Sequence, residues 1–120
     1  MAEEQRRRQA EHVSAWVEVA EDGRSAVLVA NNASAEPIWQ PGILAGWIDE
    51  SGKFNGVGET EVRPTLSAHA TLRRANTAKG LLEAYGEGRL LACQLTFRDA
   101  GARTWTRDHD GTLTEGRKVG

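Results

Sequence analysis

The sequence predicts a mainly β protein, an antiparallel immunoglobulin-like β-sandwich with an N-terminal α-helix, and three observations carry that expectation. The stretch from Gly88 to Glu115 alternates apolar and polar residues, reverses at Asp99-Ala100-Gly101, returns through Arg103 to Arg107 and turns again at Asp110-Gly111. That is the pattern of a β-meander. Short runs of the same kind recur along the chain, separated by turn residues, as in sandwiches. Thirteen glycines in 120 residues suit many short strands joined by turns. The single cysteine cannot supply the paired cysteines of antibody domains, and an open barrel is the alternative architecture. The length fits one hydrophobic core. Residues 1–12 are expected to form an exposed helix and residues 13–120 a single β-sandwich domain.

The elements follow in order. Ala2 to His12 consists of strong helix formers without Gly or Pro, and Glu3 with Arg7 and Glu4 with Arg8 stand four apart, acid first. There is no apolar stripe, so nothing in the sequence fixes this helix to the domain. Arg6-Arg7-Arg8 suits a phosphate or anionic-lipid contact. A solvated face balanced by Glu3, Glu4 and Glu11 is the simpler account. Val13 to Ala20 alternates, Asp22-Gly23 signals a hairpin, and Ser25 to Ala30 is the returning strand. Pro37 to Ile48 is apolar on both faces, and Pro41-Gly42 implies a bulge or an edge position. Asp49 to Glu59 reads as a loop or wide hairpin. Thr60 to Leu66 and His69 to Arg74 read as short strands, and Asn76 to Tyr85 as a helical turn or crossover. In the meander, Leu91, Cys93, Leu95 and Phe97 share one face, with Trp105 on the partner strand directed to the core.

Composition narrows the chemistry. A net charge of −2 gives no general pull toward nucleic acid or anionic membrane. No run of the sequence is apolar enough to span a bilayer. The three histidines show no ligand spacing to one another or to Cys93, so no metal and no cofactor is expected. Thr106 to Arg117 resembles a calcium loop but has Thr106 and Arg117 where oxygen ligands are needed. Ser67 and His69 lack an orienting acid and an oxyanion signature. Cys93, between Leu91 and Leu95, reads as a small core hydrophobe. No catalytic residue emerges.

The lead-in from Arg7 to Trp16 (R-R-Q-A-E-H-V-S-A-W) and the closing Phe97 to Leu113 (F-R-D-A-G-A-R-T-W-T-R-D-H-D-G-T-L) are the most distinctive segments. Together they resemble a loosely defined group of small β-domain proteins of unassigned function from actinobacteria and their phages, with Asn31 to Pro37 weakly similar. In many such proteins the basic helix follows membrane-spanning segments, which this sequence lacks, so the resemblance leaves open two expectations: a cytoplasmic domain with an upstream membrane anchor, or a soluble relative from a phage or its host. It implies no catalytic residues.

The expected function is a non-enzymatic protein–protein interaction module, a component of a larger bacterial or phage assembly, working in the cytoplasm on a protein partner or as a homo-oligomer. The alternative is a small-molecule or carbohydrate-binding domain using exposed indoles, since four of the seven aromatic residues are Trp. A hydrolase assembled in space is the third option. The apolar excess in Pro37 to Ile48 points to Trp39, Ile43 and Trp47 as binding residues, unless the Asp49–Glu59 loop, through Phe54, covers that face.

Overall fold

Alternating residues and turn chemistry build two antiparallel sheets, seen in a computed structural model that describes residues 3–59, 64–76 and 79–116. Strands β1 (Val13–Val19) and β2 (Ala26–Asn32) pair in register from Val13–Asn32 to Val19–Ala26. Their turn carries Gly23 at φ 69°, which a glycine adopts without strain. Strand β6 (Thr71–Asn76) adds to the other edge of β2, giving a sheet of order β1-β2-β6.

The second sheet is larger. It contains β3 (Ile38–Ile48), β4 (Phe54–Glu59), β7 (Leu90–Arg98), β8 (Thr104–Arg107) and β9 (Leu113–Glu115), in the order β4-β3-β7-β8-β9. A short strand, β5 (Thr65–Leu66), pairs with the start of β3. The C-terminal meander follows the expected register: Phe97 faces Trp105, and Thr106 faces Thr114. Helix α2 (Lys79–Gly86) buries Leu81 and Ala84 beside β3 and β7.

The core lies between the sheets. Val13, Leu28 and Ala30 from the first meet Ile38, Ile43, Ala45, Cys93, Leu95, Phe97 and Trp105 from the second. Trp105 is 2% exposed, as the alternation implies. The architecture is therefore a mainly β, sandwich-like arrangement of two antiparallel sheets with short helices. Among the described residues, no helix is long and apolar enough to cross a membrane.

One expectation needs correction. Helix α1 (Glu3–Glu11) is not a free lead-in: Gln9 and Ala10 are buried, although Glu4, Arg7, Arg8 and Glu11 are exposed. It is held without an apolar stripe. Arg107 donates from Nη2 to the Ala10 and Glu11 carbonyls at 3.2 and 3.1 Å, and from Nε to the Val13 carbonyl at 2.8 Å. A guanidinium on the last carbonyls satisfies groups that a helix terminus leaves orphaned, at the negative end of its dipole. Burial lowers the Arg107 pKa, with Glu11 opposing the shift.

The segment Asp49–Glu59, expected as a loop or wide hairpin, is the hairpin that joins β3 to β4. Asp49 organises a tight turn by accepting from the Ser51 and Lys53 backbone N–H groups at 2.9 and 3.0 Å, and Phe54 then begins β4 opposite Ile48. Phe54 is not a lid. It is itself stacked by His109 at 5.3 Å, from the β8–β9 turn, while Asp108 beside it accepts from Gln94 Nε2 at 3.2 Å. The outer face of the second sheet is thus covered at the Ile48 end of β3. Of the strand expected over Thr60 to Leu66, residues 60–63 lie outside the described residues.

Candidate functional site

At the opposite end of β3 a set of buried polar residues fixes three turns and helix α1 against one another. Asn32 accepts from the Ser34 backbone N–H at 3.1 Å and the Ser34 hydroxyl at 2.6 Å. Its amide donates to the carbonyls of Glu36, Leu66 and Ser67 at 2.8, 3.2 and 3.2 Å. Gln9, 7% exposed, reaches from α1 to donate to the Pro37 carbonyl at 3.2 Å and accepts from the Ala100 N–H at 3.2 Å. Asp99, buried, accepts from the Gly101 and Arg103 N–H groups at 2.8 and 3.0 Å and from the Trp105 indole at 2.8 Å. Buried polar groups satisfied in this way rigidify the backbone that carries them.

Two clefts open beside this network. One, of about 400 Å³, is lined by Trp39, Gln40, Pro64, Arg98, Ala100 and Ala102. The other, of about 470 Å³, lies between α1 and the turns at 33–36 and 67–69, with Arg8, His12, Glu36 and His69 on its walls. Gln9 lines the second cleft and hydrogen-bonds Ala100 of the first, so the two share a wall.

The backbone of these clefts is unusual. Among the described residues, the non-glycine positions with positive φ are Gln40 (51°), His69 (59°) and Ala102 (64°), and each lines one of the two clefts. Turns elsewhere use glycine at such positions: Gly23, Gly52, Gly88, Gly111 and Gly116. A Cβ in the left-handed region costs roughly 1–2 kcal/mol, and strain of this kind concentrates at functional sites.

Gln40 arises from the Pro41-Gly42 break. The β3–β7 register shifts between Trp39 and Gly42, a bulge that leaves Trp39 and Gln40 both exposed while Pro41 is buried. Trp39 therefore pairs with Arg98 on the outer face and with Thr65 on its other side. Ile43 and Trp47 pair with Leu95 and Leu91 on the inner face. The expected binding residues are consequently not one surface. Trp39 is 36% exposed, Ile43 is 4% exposed within the core, and Trp47 is half-buried with the Arg89 guanidinium 6.0 Å from its ring centroid. Gln40, Arg98, Ala102, Arg8, His12 and His69 join Trp39 only through the fold. The one local signal was the Pro41-Gly42 bulge.

Other chemistry-bearing groups lie elsewhere. The Cys93 thiol is buried and its pKa is pushed up to about 12 by desolvation. The His109–Asp108 contact of 3.2 Å belongs to the turn stacked on Phe54. Trp16, 39% exposed, lies on the other sheet, where its indole donates to Glu18 at 2.9 Å. Among the described residues, no group of three or more His, Cys, Asp or Glu is placed to hold a metal ion. No protein-family model matches the chain, and a search of curated proteins finds no match.

Proposed function

We propose that this protein is a non-enzymatic interaction module that grips an extended segment of a protein partner in the cleft formed by Trp39, Gln40 and Arg98. The observation that carries it is the coincidence of strained, non-glycine backbone with the walls of the two clefts. The residue types support it too. Trp and Arg are enriched among residues that dominate binding energy, and here they are exposed cross-strand neighbours. Arg98 is exposed and has no ion pair among the described residues.

A carbohydrate-binding groove would be favoured by two indoles stacking along one cleft, whereas the exposed Trp16 and Trp39 stand on different sheets. Hydrolysis would call on a His–acid pair joined by a hydrogen bond and facing a cleft: His109 with Asp108 is engaged with Phe54 and Gln94, and among the described residues His12 and His69 share a cleft wall with Glu36 without a hydrogen bond to it. We take the sandwich as immunoglobulin-like in the broad sense, with recognition by turns at one end of the sheets. A cytoplasmic setting suits its single unpaired thiol.

Selection of a displayed library of short random peptides tests the function. Enrichment is expected on the wild type and on Trp16→Ser, and its loss is expected on Trp39→Ser with the fold retained. Failure to enrich any peptide, or equal enrichment on Trp39→Ser, would overturn the proposal. Sedimentation of the same variants distinguishes a second copy of the chain as partner: self-association that disappears in Trp39→Ser would identify it.

A further inference from the structure

We infer that the partner segment is acidic and that it crosses from the Trp39 cleft into the neighbouring cleft between α1 and the 33–36 turn. This rests on the function proposed above and adds the chemistry of what is bound. The two clefts meet at Gln9, whose side chain is fixed by the Pro37 carbonyl on one side and the Ala100 N–H on the other. An extended chain seated on Trp39 therefore has a second depression next to it, across a wall that is already ordered.

Among the described residues, two guanidinium groups and two carboxylates line this path, and they differ in how they face it. The permanent cations on the cleft walls are Arg8 and Arg98, and His12 and His69 stand with them. The opposing carboxylates are Glu36 and Asp99. Asp99 is turned inward, with its oxygens held by Gly101, Arg103 and the Trp105 indole, and is 1% exposed. Among the described wall residues, Glu36 is the exposed carboxylate beside the guanidinium groups of Arg8 and Arg98. Neither Arg8 nor Arg98 has an ion pair among the described residues, while the neighbouring Arg7 is engaged by Glu11 at 3.3 Å.

His69 adds a second, independent mark. It occupies a left-handed position at φ 59° in a turn where glycine would be unstrained, and the imidazole it supplies lies on the wall of the Arg8 cleft. The His12 ring is tied to the same helix end, its Nδ1 donating to the Arg8 carbonyl at 2.7 Å, because a carbonyl can only accept. Carboxylates suit this wall: planar guanidinium forks pair with them in two-point geometry, and open clefts of this kind admit side chains rather than a compact ligand.

The experiment uses the peptide most enriched in the library selection, together with a copy in which each Asp and Glu becomes Asn and Gln. Affinity is measured by fluorescence anisotropy on the wild type, Arg8→Glu, Arg8→Ala and Trp39→Ser, at low and at physiological salt. Acidic residues should be over-represented among the selected peptides. Arg8→Ala should weaken binding about fivefold, as expected for one exposed ion pair, and Arg8→Glu should weaken it further. The amide copy should bind the wild type more weakly and should no longer distinguish Arg8→Glu from wild type. A neutral or basic consensus, or unchanged affinity in both Arg8 variants, would overturn the acidic partner while leaving the Trp39 cleft as the binding site. Retention of affinity in Trp39→Ser would instead refute the cleft itself. Tighter binding of a single-stranded oligonucleotide or of anionic lipid vesicles than of the acidic peptide, lost in Arg8→Glu, would assign the cationic wall to phosphate and refute the inference.

Discussion

Replacing Gln40 by glycine should stabilise the protein while weakening its recognition of a partner. Gln40 sits at φ 51° in the bulge of β3 with its side chain exposed. Its backbone N–H donates to the Pro64 carbonyl at 3.0 Å, a bond that glycine keeps. Removing Cβ lifts roughly 1–2 kcal/mol of left-handed strain. The greater freedom of glycine in the unfolded chain takes back about 0.4–1 kcal/mol. The net gain is about 0–1.6 kcal/mol, which for a domain of this size raises the melting temperature by up to about 6 °C. Thermal unfolding followed by circular dichroism reads it directly. Binding of the selected peptide should fall in the same variant, because the amide leaves the cleft. A lower melting temperature for Gln40→Gly would show that the side chain is held by structural contacts. The strain at Gln40 would then no longer mark a site.

Further outcomes follow from the same geometry. Trp105→Ala should cost about 3–5 kcal/mol, since it empties a large core position and orphans an Asp99 oxygen, whereas Trp39→Ser should change stability by about 1 kcal/mol or less; urea unfolding compares them. Cys93 should react slowly with a thiol reagent in the native protein and rapidly in denaturant, because burial pushes its pKa up to about 12; fast native labelling would contradict its core position. The Asp49 carboxylate is held well below its ordinary value of 3.8, first by the Ser51 hydroxyl and then by the Asn55 amide and the Lys53 N–H. A depressed folded-state pKa stabilises above the unfolded value and loses that contribution as pH falls below it. Wild type should therefore lose its advantage over Asp49→Asn as pH drops below about 4, and a difference that stays constant through that range would refute the assignment.

The meander was legible because period-two alternation is a local property. Leu91, Cys93, Leu95 and Phe97 declare their face within nine residues, and Asp99 and Gly111 mark the reversals. The position of Trp105 follows from that register. The bulge at Pro41-Gly42 was readable as a break, but not its consequence. With Gln40 in a left-handed conformation, Trp39 and Gln40 both face outward and the alternation restarts at Pro41. That separates Trp39 from Ile43 and Trp47, which the linear pattern had grouped. The docking of α1 was illegible for a different reason. Its anchors are Ala10, Gln9 and a guanidinium nearly a hundred positions away, and none of them forms an apolar stripe. The cover over Phe54 by His109 is likewise a long-range contact between turns. The cleft walls come from five separate segments, so no motif spans them.

The most direct measurement is a nitrogen–proton correlation spectrum of the labelled protein titrated with the selected peptide. Changes should concentrate on the Trp39 indole N–H and on the amides of Gln40, Arg98, Ala100 and Ala102, and extend through the Gln9 side-chain amide to Ser34 and His69. Trp16 and the exposed residues of the β1-β2-β6 sheet should remain unmoved. Perturbations centred on Trp16, Glu18 and Arg73, with the Trp39 indole unchanged, would contradict recognition at this end of the sandwich.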